Sequence, residues 1–114
     1  MIDLRFLSQV LHLDHRTFIN CVQLTNLSLT RLQIKTIDKN LFKGLINLER
    51  ISLVNNKIDN LYLDTFNDLI SLKRIFLDSN SLEFIPDKIF HNNFNLESIC
   101  ICDNFLTSIP KDLY

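Results

Sequence analysis

Apolar residues return along this chain with a period longer than any helix or strand produces. From Leu24 onward the spacing is 24 residues, without insertion. Leu24, Leu48, Leu72 and Leu96 open each unit, followed by Leu27, Ile51, Ile75 and Ile99 and then by Leu29, Leu53, Leu77 and Ile101. Further along come Ile34, Ile58, Leu82 and Leu106, next Ile37, Leu61, Ile85 and Ile109, and then an aromatic column of Phe42, Phe66, Phe90 and Tyr114. A further apolar slot holds Leu45 and Leu69, where the third unit has Asn93 with Phe94 beside it. The chain is 46% apolar overall. Filling the six main columns by chance then has a probability of roughly 10⁻⁸ before choice of register is discounted. Neither a 3.5- nor a 3.6-residue period generates these offsets.

Each slot has a physical task. The Ile51/Leu53 alternation has the period of two expected of a strand with one buried face, so each unit is predicted to contribute one short strand to a parallel sheet. Asn56, Asn80 and Asn104 fall where the chain leaves the strand and turns inward. A buried amide there can bond the backbone of its own and the adjacent turn, forming a structural asparagine ladder. Pro86 and Pro110 fix φ on the opposite side, where no ladder donor is needed. The Phe column is predicted to stack beneath that outer surface.

The pattern L-x-x-L-x-L-x-x-N-x-L-x-x-L, with P and F beyond it, resembles the leucine-rich repeat family. It looks most like the 24-residue form of animal cell-surface and secreted proteins such as Toll receptors, Slit proteins and matrix proteoglycans. The unit at residues 24–47 departs by placing Leu32 in the Asn slot. The resemblance implies an α/β solenoid: a curved, right-handed coil with short parallel strands on its concave face and irregular or 3₁₀ segments on its convex side. The units are 24–47, 48–71, 72–95 and a partial 96–114.

Residues 1–23 follow the pattern only in part. Val10, Leu13, Phe18, Cys21 and Leu24 match the second half of a unit, but Asp3 and Arg5 fall on apolar strand slots. This segment is either a degenerate first repeat shifted by one residue, with Leu4 and Phe6 facing inward, or an N-terminal cap, since end units of solenoids are atypical.

Between the buried strand residues lie those that face the concave surface, the usual binding face of such coils. The columns read Asn26/Arg50/Arg74/Ser98, Ser28/Ser52/Phe76/Cys100, Thr30/Val54/Asp78/Cys102 and Arg31/Asn55/Ser79/Asp103. Arg50, Ser52, Val54, Arg74, Phe76, Asp78, Cys100 and Cys102 form the candidate protein-binding set. Exposed Phe beside Arg is the composition favoured at interface hot spots, although two basic residues among many surface positions also arise without a ligand. The acids Asp78 and Asp103 limit the patch as an anion site.

Composition narrows the chemistry. The net charge of −1 gives no electrostatic case for nucleic acid. No apolar stretch approaches the ~20 residues that span a bilayer, so no direct membrane insertion by this segment is expected. The opening MIDLRFL does not read as a signal peptide. Cys100 and Cys102 share one face of the last strand at a spacing unfavourable for a mutual disulfide. They are either free thiols or paired outside these residues. Cys21 occupies a buried slot. No metal site, cofactor or catalytic motif is expected: His12, His15 and His91 are scattered, and Gly-rich phosphate loops and nucleophile elbows are absent from the sequence. Carboxylates such as Glu49 and Glu97 could approach across strands as solvated surface. Asn26-Leu27-Ser28 is an N-glycosylation sequon, placing a candidate glycan at Asn26.

These features point to a non-catalytic protein-binding module, a fragment of a cell-surface or secreted recognition protein with its ligand on the concave face. The alternative is an intracellular, cytoplasmic adaptor or scaffold; a docking arm for a catalytic domain elsewhere is a third class. Tyr114 sits in the Phe slot, so the final coil is uncapped as written and self-association through that end is expected.

Overall fold

The computed structural model describes residues 2–3, 13–111 and 113. Five short strands, β1 (Ile2–Asp3), β2 (Asn26–Ser28), β3 (Arg50–Ser52), β4 (Arg74–Phe76) and β5 (Ser98–Cys100), form one parallel sheet in chain order. From β2 to β5 the register advances by one unit per strand: Leu27 faces Ile51, Ile51 faces Ile75, and Ile75 faces Ile99. Parallel neighbours need a crossover connection, and here the remainder of each 24-residue unit supplies it. The ladder outruns the named strands. Leu29 and Arg31 donate to the carbonyls of Ser52 and Val54, and the next units repeat this with Leu53 to Phe76 and Asn55 to Asp78.

The sheet ends at a left-handed turn that recurs once per unit. Arg31, Asn55, Ser79 and Asp103 all have positive φ, between 56° and 61°. These residues form the fourth of the columns expected on the sheet face, and the structure gives them a second task. Asn and Asp tolerate this conformation; a serine or arginine there carries strain of about 1–2 kcal/mol. Substituting Ser79→Asn is therefore expected to stabilise the protein by up to about 1 kcal/mol, while Ser79→Val destabilises it. Thermal midpoints of the two variants check this.

After the turn, the asparagine ladder fills the bend. Asn80 Nδ2 donates to the carbonyls of Leu53 and Leu77 at 3.0 Å each, and its Oδ1 accepts from Ile58 N at 3.0 Å. Asn56 binds Leu29 and Leu53 in the same way at 2.8 and 2.9 Å. Its Oδ1 accepts from both Leu32 N and Ile34 N. Asn104 repeats the pattern with Leu77, Ile101 and Leu82, but is only half-buried. Leu32, lacking an amide, is simply buried.

The return limb is a chain of single turns closed by bonds between residues three apart, such as Thr65 N to Tyr62 O, Leu69 N to Phe66 O and Leu72 N to Leu69 O. Among the described residues no helix forms, which corrects the α half of the expected α/β class. Each turn closes locally, and side chains tie it to its neighbour instead of to a continuing helix. Asp68 accepts from Gly44 N at 2.9 Å, and Asn47 and Asn95 donate to the carbonyls of Val22 and Ile70. Beneath this layer the Phe42 and Phe66 rings stack at 6.2 Å between centroids, and Phe66 and Phe90 at 5.6 Å. Phe18 is buried in the preceding position of the column.

The third unit resolves its irregular slot in favour of Asn93. That side chain is buried and donates to the carbonyls of Phe66 and Leu69 at 3.0 and 2.9 Å, whereas Phe94 is 82% exposed. The 24-residue register outweighs hydrophobicity here, because the amide satisfies two carbonyls that a leucine would leave to other donors.

Coverage weakens at both ends of the stack. Ile99, Ile101 and Leu106 are half-buried and Ile109 is 57% exposed, because no described turn lies over them. Cys21, expected to be buried, is half-buried for the same reason at the other end. Strand β1 joins the sheet with Ile2 opposite Leu27, an offset of 25 residues instead of 24. Leu4, Arg5, Phe6, Val10, His12 and Tyr114 lie outside the described residues.

Candidate binding face

On the sheet, alternation sends Leu27, Ile51 and Ile75 into the core and leaves the intervening side chains on the opposite face. Arg50 and Arg74 are direct register partners, and both are exposed. Parallel neighbours lie about 4.8 Å apart, so two guanidinium stems rise side by side. Arg50 leans along the sheet until its Cζ is 4.6 Å from the centroid of the Phe76 ring. That cation–π contact fixes one guanidinium and covers part of a half-buried ring, a contribution of about 0.5–1 kcal/mol at an exposed site.

The neighbouring hydroxyls are occupied among themselves. Ser28 Oγ, Thr30 Oγ1 and Ser52 Oγ form a chain with 3.1 Å at each step. Asn26 is half-buried at the head of β2 and Val54 is half-buried next to Asp78. Asp78 does not neutralise the arginine pair in the way its sign suggests. Its Oδ1 accepts the Cys102 N–H at 2.7 Å, which directs the carboxylate toward the outer strand. Asp103 is exposed on the left-handed turn beyond. Cys102 is exposed and Cys100 half-buried, both as free thiols, with Ser98 Oγ 4.0 Å from the Cys100 sulfur.

One feature of this face was missed in the sequence. Glu49 and Glu97 are expected to be solvated carboxylates, yet Lys73, immediately before β4, stands between them in the repeat register. Lys73 Nζ lies 2.6 Å from Glu49 Oε1. The hydrogen bond and the charge of Glu49 raise the Lys73 pKa above its ordinary value, with a smaller push from Glu97. The same 24-residue offset that found the arginine column would have revealed Glu49/Lys73/Glu97.

A depression on the opposite side, lined by residues such as Lys39, Lys43, Asp64 and Asp68, holds about 160 Å³, below the ~300 Å³ at which ligand pockets begin; another of about 390 Å³ lies among Gln23, Thr25, Asn47, Glu49 and Ser71. Among the described residues no group of three or more His, Cys, Asp or Glu could hold a metal ion. No helix there is long and apolar enough to cross a membrane.

No curated protein matches the chain. Its whole length, residues 1–114, matches the family described as BspA type leucine rich repeat region, in six copies. Unit-by-unit stacking on one parallel sheet and a match over the full chain lead to the same conclusion: the protein belongs to the BspA type leucine-rich repeat family.

Proposed function

We propose that this chain is a non-catalytic protein-binding module whose ligand lies on the sheet face, the concave side of a curved, right-handed coil. Leucine-rich repeats generally mediate protein binding. The observation that carries the proposal here is the group formed by Arg50, Arg74, Phe76 and Val54. Chemically diverse side chains stand on a backbone held by sheet bonds and the asparagine ladder, so a partner meets a surface already ordered before binding.

The repeats of this family are often found in extracellular or surface proteins, which supports a place in a cell-surface or secreted recognition protein. The uniform 24-residue spacing supports kinship with the Toll and Slit form. Under this reading Asn26 carries no glycan, because sugar at the head of β2 would crowd the adjoining Arg50. A second reading, an intracellular scaffold, draws on the three free cysteines, which suit a reducing compartment.

The test is hydrogen exchange on the purified chain with binders selected from a displayed peptide library. Protection is expected along residues 50–54, 74–78 and 98–102. Protection confined to the turn side, around residues 62–69 and 86–93, would refute the proposal.

A further inference from the structure

The sheet face holds two positive charges that the chain itself leaves unanswered. Among the described residues, the ion pairs are Arg16 with Asp14 and Lys73 with Glu49; neither Arg50 nor Arg74 has a carboxylate partner. The nearby acids are committed elsewhere, Asp78 to the Cys102 N–H and Glu49 to Lys73. Two guanidiniums on register-paired residues repel one another, and a carboxylate between them would relieve both while giving one oxygen to each. On the same face, farther along the two strands, lie the half-buried Phe76, opposite Ser52, and the half-buried Val54 two residues beyond Ser52.

We propose that the partner is an acidic protein segment laid across β3 and β4, with one Asp or Glu between Arg50 and Arg74 and an adjacent bulky apolar side chain on Phe76 and Val54. This rests on the sheet face being the binding surface. A polyanion such as nucleic acid or an anionic membrane fits less well. Exposed Glu97 and Asp103 flank β5 on the next unit and disfavour extended negative charge, whereas a single carboxylate needs only the two guanidiniums. The positive charge is local, in a chain whose net charge is −1.

The test uses a phage-displayed dodecapeptide library panned on the full chain. Selected clones are expected to share Asp or Glu next to Leu, Ile, Phe or Trp. A synthetic peptide of that consensus should bind the Arg74→Ala variant about tenfold more weakly, and replacing its acid with the neutral amide should weaken binding similarly. Arg74→Glu should shift preference toward a lysine at the same position. Arg74 is exposed, so the variants should keep the wild-type urea midpoint, which separates lost binding from lost folding. Clones that protect the sheet face and need Phe76, yet carry no acid, would overturn the acidic partner and leave the binding face standing. Clones that map to the turn side, or no enrichment at all, would remove both. Binding that requires a phosphoserine in place of the carboxylate, or is displaced by inorganic phosphate, would overturn the carboxylate assignment in favour of a phosphorylated ligand.

Discussion

Phe66→Ala is expected to lower the free energy of unfolding by about 3–5 kcal/mol, the range for truncating a fully buried phenylalanine. Phe66 is inaccessible to solvent and its ring stacks on Phe42 and on Phe90. Truncation opens a cavity in the middle of the column and removes both ring contacts, each worth about 0.5–1.5 kcal/mol beyond area burial. The position also matters. A repeat contacts only its neighbours, so a gap at the centre weakens the coupling between the two halves of the stack. Urea denaturation should show a lower midpoint and a broader transition. Phe94→Ala is the matched control: with its ring 82% exposed, the change should shift the midpoint little.

The asparagine ladder yields the second large effect, with an order that composition does not suggest. Asn56→Ala should cost about 4 kcal/mol or more and Asn80→Ala about 2 kcal/mol, taking roughly 1–3 kcal/mol for each buried group left without a partner. The carbonyls bound by Asn80 have other donors: Leu53 O keeps Asn56, Leu77 O keeps Asn104, and Asp78 O keeps the Asn55 N–H. Only Ile58 N–H loses its acceptor. Asn56 stands next to the unit in which Leu32 replaces asparagine, so no earlier amide shares its load. Its loss strands Leu32 N–H, Ile34 N–H and Leu29 O together. Parallel urea titrations of the two variants test the order; equal midpoints would show that the ladder's carbonyls are satisfied in another way.

Leu32 also illustrates how far a sequence can be read. The substitution was plain in the repeat pattern, but its consequence was not, because the repeat pattern shows the slot and hides the partners. Asn93 behaves similarly. Periodicity placed it in an apolar slot, and only the carbonyls of Phe66 and Leu69 explain why an amide occupies that slot while Phe94 faces water. On the sheet face, the columns Arg50/Arg74 and Ser52/Phe76 were legible, because residues one period apart become neighbours in a parallel sheet. The direction in which each long side chain leans was not. Arg50 crosses to the ring two positions along the next strand, and Asp78 turns away to a backbone amide.

The sequence by itself determined the stacking: the 24-residue spacing, the inward face of each strand, the asparagine bends and the aromatic column. These follow from which atoms must avoid water and which must find a hydrogen-bond partner, requirements that act locally and recur with every unit. Tertiary structure decided what the recurring pattern leaves free. It set the left-handed turn at Arg31, Asn55, Ser79 and Asp103, the turn-built return limb, and the pairing of Lys73 with Glu49 that leaves Arg50 and Arg74 without a counter-charge. Those outcomes depend on distances between side chains of adjacent units, and such distances exist only once the units are stacked.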